Sequence, residues 1–430
     1  MRRVTSQELV AHGGQVVTVA GWVHRVRALG HLTFVILRDR HGFIQVVAEG
    51  HNEQLAAVAN ESVVAVTGEV ALEERAPSGA EVRMREFEVI APADPALPFE
   101  LHKKDLNVGL DLVLDHRVLS LRHPKVHAVF TVQAEVLAAF RDFLRSRDFT
   151  EISTPKIVAS GTEGGSELFP LRYFERRAYL AQSPQFYKQM LVGAGYERVF
   201  EVGHVYRAEE HNTSRHINEF TSLDLEMGFI DSEEEVMDLE VALLAEVFQR
   251  VGQRCAAELE LLGVTVPGAV EPPRLPLAEV QSILKDRYGK GSPPEGLDPE
   301  GERLIGEHVA QSGRGDLVFV TRWPAAKRPV YTHPDAADPT LTRSFDLLFR
   351  GLEITTGGQR IHRYDQLVGN MVAFGLDPAA FEHYLEVFRF GMPPHGGLAI
   401  GLERLTARLL GLSNLREASL FPRDRTRLAP

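Results

Sequence analysis

Val199-Phe200-Glu201-Val202-Gly203-His204-Val205-Tyr206-Arg207-Ala208-Glu209 is followed by the polar loop Glu210-His211-Asn212-Thr213-Ser214-Arg215-His216, and then by Asn218-Glu219-Phe220-Thr221-Ser222-Leu223-Asp224-Leu225-Glu226-Met227. The pattern reads as strand, loop, strand. A solvated hairpin with surface ion pairs would explain the charges, but such pairs contribute little. It does not explain the apolar residues Val199, Phe200, Val202, Leu223, Leu225 and Met227, which call for half-buried strands. Charges at the ends of buried strands are costly unless they meet a ligand or each other. Arg207, Glu209, Arg215, His216, Glu219, Phe220 and Asp224 therefore mark a candidate site.

A second stretch supports it. Pro393-Pro394-His395-Gly396-Gly397-Leu398-Ala399-Ile400-Gly401-Leu402-Glu403-Arg404-Leu405 reads as a glycine-rich strand that enters a helix with an arginine in its first turn. Glycine permits close backbone approach, and arginine suits phosphate or the face of a purine. Taken alone, a strand-to-helix turn with a surface arginine is the more common explanation of this pattern.

Upstream the chain changes character. Val16–Val23, Leu32–Arg38, Phe43–Val47, Ser62–Gly68 and Val82–Ile90 are strand candidates, and a short helix is expected near Glu53 to Asn60. Five strands with a helix between the third and fourth fit an OB-fold, a small barrel that often binds oligonucleotides; another small barrel or sandwich has the same pattern. The proline-rich run Ala91 to Pro98 ends this region. We expect an OB-fold domain over 1–100, a hinge over 101–125 and a larger domain over 126–430 with a small insertion at about 270–340, where Pro-rich stretches at Pro267 to Pro276 and Ser292 to Pro299 bracket a small unit. Amphipathic helices are expected from about Val126 to Arg147 and from Glu233 to Val251, and a further helix from Gly401 to Leu410.

Composition narrows the class. The 430 residues, at about 100–200 per domain, suggest two or three domains. A single cysteine, Cys255, excludes an internal disulfide framework and a Cys-rich zinc site, and fits a cytoplasmic protein. No apolar run approaches the ~20 residues that span a bilayer, and Met1-Arg2-Arg3 is not followed by a signal-peptide core, so no membrane partner is expected. A formal charge of −12 argues against a surface coated for non-specific nucleic-acid binding, though not against a local basic site.

The two chemistry-bearing stretches resemble motifs 2 and 3 of class II aminoacyl-tRNA synthetases. Phe149-Thr150-Glu151-Ile152-Ser153-Thr154-Pro155-Lys156-Ile157 is similar to motif 1, the dimer element of that class, and the three occur in the family's order. Gly161-Thr162-Glu163-Gly164-Gly165-Ser166-Glu167-Leu168-Phe169 resembles the loop that closes over the amino acid in the aspartyl branch. Gln182-Ser183-Pro184-Gln185-Phe186-Tyr187-Lys188-Gln189 is similar to that branch's amino-acid pocket, and Gly357-Gly358-Gln359-Arg360-Ile361-His362 carries its arginine. The form is the short archaeal and eukaryotic-like one. The implied architecture is α+β and multidomain: an N-terminal OB-fold β-barrel plus a catalytic domain built on an antiparallel sheet with helices.

The resemblance implies ATP-dependent activation of L-aspartate and its transfer to the 3′ end of tRNA-Asp by a homodimer joined through motif 1. Lys188 and Arg360 are the expected cations for the side-chain carboxylate; Asp224 and Glu163 would meet the ammonium group, with Gln185 orienting it and Ser183 and Thr356 completing the pocket. For ATP, Arg207 would contact the α-phosphate, and His216, beside Arg215, the γ-phosphate. Phe220 and Arg404 would sandwich the adenine, Glu219 would accept from its amino group, and Glu209 and Gly401 would line the site. Arg207, Glu353 and Arg404 are the expected catalytic residues. Glu353, with Asp346 and Thr356 in support, would hold Mg²⁺, although Asp346 reads equally as a structural carboxylate paired with an arginine.

At the RNA end, Phe34 and Gln45 fall where the family stacks and reads the middle anticodon base, with Arg25, Arg27, Arg38 and Arg40 flanking. Strict archaeal-type members have Trp in place of His24 and a lysine in the loop that here reads Ala76-Pro77-Ser78-Gly79. His24 and Pro77 go with relaxed reading of the third anticodon base. This implies charging of tRNA-Asn as well, with hand-off to a tRNA-dependent amidotransferase. The competing readings are an asparaginyl enzyme, which lacks the lysine at position 188, and an inactive RNA-binding paralogue, which has no need of an adenylate site.

Overall fold

The computed structural model describes residues 3–50, 55, 57–161, 167–210, 213–268 and 271–430. It divides into two units, Met1–His123 and Pro124–Pro430.

The first unit is a barrel-like sheet of β1 (Val16–Leu29), β2 (Leu32–Arg38), β3 (Phe43–Glu49), β4 (Val63–Leu72) and β5 (Ala80–Ala91), with the two-residue strand Arg3–Val4 beside β1. Alternation decides the inside: Val17, Val19, Val23, Val35, Leu37, Ile44, Val46, Val64 and Val66 are buried. Strand β1 runs well past the expected Val23. Its first half pairs with β4 and its second half with β2, and the register slips at His24. The bulge lets one strand serve both sides of the barrel, and it interrupts the alternation that marks a strand in the sequence. Of the helix expected near Glu53 to Asn60, most lies outside the described residues; Leu55 is helical and buried. Residues of the expected hinge form two short helices, Leu110–Asp115 and Arg117–Ser120, within this unit.

The second unit is built on an eight-stranded sheet among the described residues. In chain order its strands are β6 (Thr150–Glu151), β7 (Arg198–Tyr206), β8 (Glu219–Gly228), β9 (Arg274–Pro276), β10 (Leu317–Thr321), β11 (Ser344–Phe349), β12 (Leu352–Arg360) and β13 (His395–Gly401). Their spatial order is β9-β10-β11-β12-β13-β8-β7-β6, antiparallel throughout except for the two outermost pairs. One face packs on helices α1 (Pro124–Arg145) and α3 (Glu234–Arg254). There Val132, Val136, Phe140, Leu243 and Val247 meet Phe200, Leu223, Leu225, Leu398 and Ile400. The opposite residues of the same strands, including Ser222, Asp224 and Ala399, line a cavity, which α2 (Gln185–Leu191) also helps to line. The 270–340 stretch adds β9, α4 (Leu277–Tyr288), α5 (Pro299–Gln311) and β10 to one edge of the sheet, around Val280, Leu284, Ile305, Val309, Val318 and Val320. Helix α6 (Leu402–Leu410) follows β13 directly. No helix among the described residues is long and apolar enough to cross a membrane.

Candidate active site

The cavity has a volume of about 970 Å³ and two chemically distinct ends. At one end, buried charges converge from α2, β8 and β12. Lys188 stands on α2 one turn after Gln185, so both face β8. Its ammonium donates to Asp224 Oδ1 at 3.0 Å, Leu398 O at 3.1 Å and Leu225 O at 3.2 Å. Glu226 Oε2 lies 3.2 Å away. Arg360, at the end of β12, donates from Nε to Glu226 Oε1 at 3.0 Å and from a terminal nitrogen to Gly397 O at 3.0 Å. Gln185 donates to Glu226 Oε2 at 3.4 Å, and Ser222 to Asp224 Oδ2 at 2.5 Å.

Glu226 joins the two cations. It follows Asp224 by two along β8, so both carboxylates point to one face while Leu225 and Met227 go to the core. Burial raises its pKa, but Arg360 and Lys188 pull it below the ordinary 4.5, so it is a carboxylate. Gly397 makes room for it: a Cβ there would lie 2.2 Å from Leu225 O and 2.3 Å from Glu226 Oε2. Sequence reasoning missed Glu226 as a site residue. The available signal was an acid two residues from Asp224 in an otherwise apolar strand. Two carboxylates and two carbonyls surround Lys188, so its charge is balanced before a substrate carboxylate arrives.

The other end is arranged for anions. Arg207 follows β7, with its guanidinium over the Phe220 ring at 5.5 Å and its buried Nε without a hydrogen-bond partner. His216 Nε2 is 3.5 Å from Glu209 Oε2. Arg404, in the first turn of α6, donates to Glu353 O at 3.1 Å and Glu353 Oε1 at 3.2 Å. Arg215 pairs with Glu302, from α5. Ser183, Gln185, Lys188, Arg207, Glu209, Arg215, His216, Phe220, Asp224, Glu353, Thr356, Arg360, Gly401 and Arg404 all line this one cavity.

At this site one expectation differs from what is found. Glu219 does not line the cavity: it lies one residue before Phe220, so strand alternation turns its side chain away, toward His204 at 3.8 Å. Arg404 lines the cavity as expected, with one guanidinium nitrogen engaged by Glu353. Asp346 is ion-paired with Arg328 at 2.8 Å; burial pushes its pKa up to about 6 against the pull of Arg328. Glu163 lies outside the described residues. Among those residues, no group of three or more His, Cys, Asp or Glu is arranged to hold a metal ion.

In the first unit, Phe34 lies on the face opposite Val35 and Leu37 and is half-buried, which excludes it from the barrel core. Cross-strand pairing puts Arg27, Phe34 and Val47 in one row and Arg25, Ile36 and Gln45 in the next. Gln45 donates to Glu81 at 3.0 Å, and Pro77 is exposed in the loop that precedes Glu81. His24 packs on Phe43 at 4.8 Å, and burial lowers its pKa to about 4, so it is neutral at pH 7. Arg38, expected near phosphates, is buried instead and binds Glu61 through two hydrogen bonds of 3.1 and 2.6 Å.

Comparison with known proteins agrees with this geometry. Residues 109–425 match the family described as tRNA synthetases class II (D, K and N), and residues 17–92 match the OB-fold nucleic acid binding domain. The chain is 50% identical over 436 residues to the aspartate--tRNA(Asp/Asn) ligase of Deinococcus radiodurans, covering 100% of this chain and 99% of that protein. It is 51% identical over 431 residues to the enzyme of the same name from Thermus thermophilus, covering 100% of both. Among solved structures, asparaginyl-tRNA synthetase from Pyrococcus horikoshii with asparaginyl-adenylate matches with a TM-score of 0.92 at 32% identity over 100% of both chains. Aspartyl tRNA synthetase from Entamoeba histolytica matches with a TM-score of 0.88 at 31% identity, covering 100% of this chain and 93% of that one. A family match over three-quarters of the chain, together with relatives at half identity along its whole length, shows that the chain belongs to the class II tRNA synthetases of the D, K and N group.

Proposed function

We propose that this chain is an aspartate--tRNA ligase that activates L-aspartate with ATP, releases pyrophosphate, and transfers the aspartyl group to the 3′ end of both tRNA-Asp and tRNA-Asn. The observation that carries the reading is the single cavity with a zwitterion-binding end, lined by Lys188, Arg360 and Asp224 with Glu226 behind the two cations, joined to an anion-binding end, lined by Arg207, Arg215, His216 and Arg404. The two sets meet along β8, whose Phe220, Ser222 and Asp224 run from one end to the other.

In this reading Arg360 takes the substrate's side-chain carboxylate, with Glu226 fixing the plane of its guanidinium and Lys188 adding charge from behind. Asp224, with Gln185 and Ser183 nearby, receives the ammonium group, and Glu163 is proposed to join it. Arg207 meets the α-phosphate, where negative charge builds as the α-carboxylate attacks. Arg215 and His216 take the outer phosphates. Phe220 supports the adenine, and Glu209, which lines the cavity, replaces Glu219 as acceptor for its amino group. No side-chain base is required, because the rate comes from alignment and charge.

The residues also fit magnesium. Asp346 Oδ1 is buried without a hydrogen-bond partner, and Thr356 Oγ1 donates to Glu353 Oε1 at 3.3 Å. Carboxylate and hydroxyl oxygens are what this ion takes. Glu353, Asp346 and Thr356 would hold Mg²⁺, which would supply positive charge against the negative charge of the ATP phosphates.

For the RNA, Phe34 stacks on an anticodon base, Gln45 selects it, and Arg25 holds phosphate, while His24 and Pro77 leave the third anticodon position loosely read. Aspartate is favoured over asparagine because the relatives at 50–51% identity are named as aspartate--tRNA(Asp/Asn) ligases, whereas the asparaginyl match is at 32%. The active form is proposed to be a homodimer through motif 1, working in the cytoplasm and passing aspartyl-tRNA-Asn to an amidotransferase. Aspartate-dependent exchange between pyrophosphate and ATP, repeated with asparagine, tests the first step. Charging pure tRNA-Asn and tRNA-Asp transcripts tests the second: full charging of tRNA-Asp with none of tRNA-Asn would overturn the dual specificity.

A further inference from the structure

The insertion at about 270–340 takes no part in the proposed function, yet one of its carboxylates, Glu302, holds an arginine of the cavity wall. We propose that Glu302 is a positioning residue for ATP, holding the Arg215 guanidinium at the phosphate end of the cavity. This rests on the reading that Arg215 meets the phosphates of ATP.

Local structure fixes where Glu302 stands. Helix α5 is capped by Asp298, whose Oδ1 accepts from Gly301 N at 2.8 Å while Oδ2 accepts from Lys290 at 2.7 Å. The first turn is thereby pinned at both of the cap's oxygens. Ile305 and Val309 bury the helix against Val318, Val320 and Leu348. One turn after Glu302, Gly306 lies against the turn that opens β12. A Cβ on Gly306 would lie 2.7 Å from Gly351 N, and Gly351, at φ +72°, would put a Cβ 2.8 Å from Arg303 Cα. Helix and hairpin thus touch backbone to backbone, and Glu353 is only two residues beyond Gly351.

This seating brings Glu302 to two parts of the site at once. Its Oε2 accepts from Arg215 and, at 3.3 Å, from the backbone nitrogen of Glu353. Arg215 lines the cavity and Glu302 does not, so the carboxylate stands behind the guanidinium. Arg408, on α6, feels both charges: Arg215 repels it and Glu302 attracts it. Glu302 therefore offsets the repulsion between Arg215 and Arg408. An arginine on a loop must give up rotamer freedom to bind phosphate, and holding it in advance lowers that cost.

The test uses the full-length protein and the aspartate-dependent exchange of pyrophosphate into ATP. Glu302→Gln is expected to raise the KM for ATP by about 3- to 10-fold, the range for one immobilised side chain. The KM for aspartate and kcat should stay within about twofold. Glu302→Asp, which keeps the charge but withdraws it by one methylene, should fall between Glu302→Gln and the parent, and serves if Glu302→Gln folds poorly. Arg215→Gln should raise the KM for ATP at least as much, and the double variant should be no worse than Arg215→Gln alone. An unchanged KM for ATP in Glu302→Gln and Glu302→Asp, a parallel rise in the KM for aspartate, or additive effects in the double variant would overturn the positioning role. If Arg215→Gln itself leaves the KM for ATP unchanged, the assignment of Arg215 to phosphate fails, and the proposal fails with it.

Discussion

The Arg360 guanidinium and the Glu226 carboxylate meet at 3.0 Å, both buried, across β13 from strands β12 and β8, in a site whose other cation, Lys188, shares the same carboxylate at 3.2 Å. Glu226 is the common anion of the amino-acid end. Removing one partner of such a cluster leaves buried charge uncompensated, which typically costs about 3–5 kcal/mol. Glu226→Gln is therefore expected to lower unfolding stability by that order and to raise the KM for aspartate more than the KM for ATP. Urea unfolding and pyrophosphate exchange with each substrate varied in turn check both parts. An unaltered aspartate KM would show that the pair is structural only.

Arg360→Leu removes the group assigned to the substrate carboxylate without touching the anion-binding end. Aspartate-dependent exchange should be abolished while ATP still binds, as measured by calorimetry. Retained aspartate activation would refute the assignment of Arg360.

Phe34→Ala strips an aromatic from the outer face of β2 without opening the barrel core, because Phe34 alternates away from Val35 and Leu37. Base stacking on an aromatic contributes about 1–3 kcal/mol. Aminoacylation should show a raised KM for tRNA, whereas pyrophosphate exchange, which needs no RNA, should be unchanged. Equal loss in both assays would point to misfolding instead.

Glu240, on α3, is fully buried beneath the sheet and accepts from Thr355 Oγ1 at 2.5 Å. Burial raises its pKa from 4.5 to about 8. Between those values the unfolded chain releases a proton that the native state keeps, so this residue's contribution to stability falls as pH rises through the window. At pH 7 the difference is about 3 kcal/mol. Glu240→Gln, which mimics the protonated form, should melt close to the parent at pH 5 and progressively above it toward pH 8. A melting difference independent of pH would exclude the protonated native state.

Much of this protein is legible in the sequence, because the information is local. Period-two alternation marks the five barrel strands, the amphipathic period marks α1 and α3, and the motif residues on either side of β7, β8 and β13 mark the catalytic unit. The membership of the cavity is legible too, since the resemblance of local motifs nominates Lys188, Arg207, Asp224, Arg360 and Arg404, all of which line it. Which groups hold one another is a different matter. Glu226 sits between Lys188 and Arg360, Arg328 against Asp346, Arg404 on Glu353 and Glu302 on Arg215, and each of these pairs joins residues far apart in the chain. Strand facing decides that Glu219 points away while Phe220 points in, and a one-residue bulge at His24 carries β1 on past the point where its alternation stops. Alternation and helical period are short-range consequences of backbone sterics and solvent, so the residues alone determine them. The partner of a buried charge depends on which strands and helices packing brings within about 3 Å, the range at which a hydrogen bond forms, and only the tertiary structure decides that.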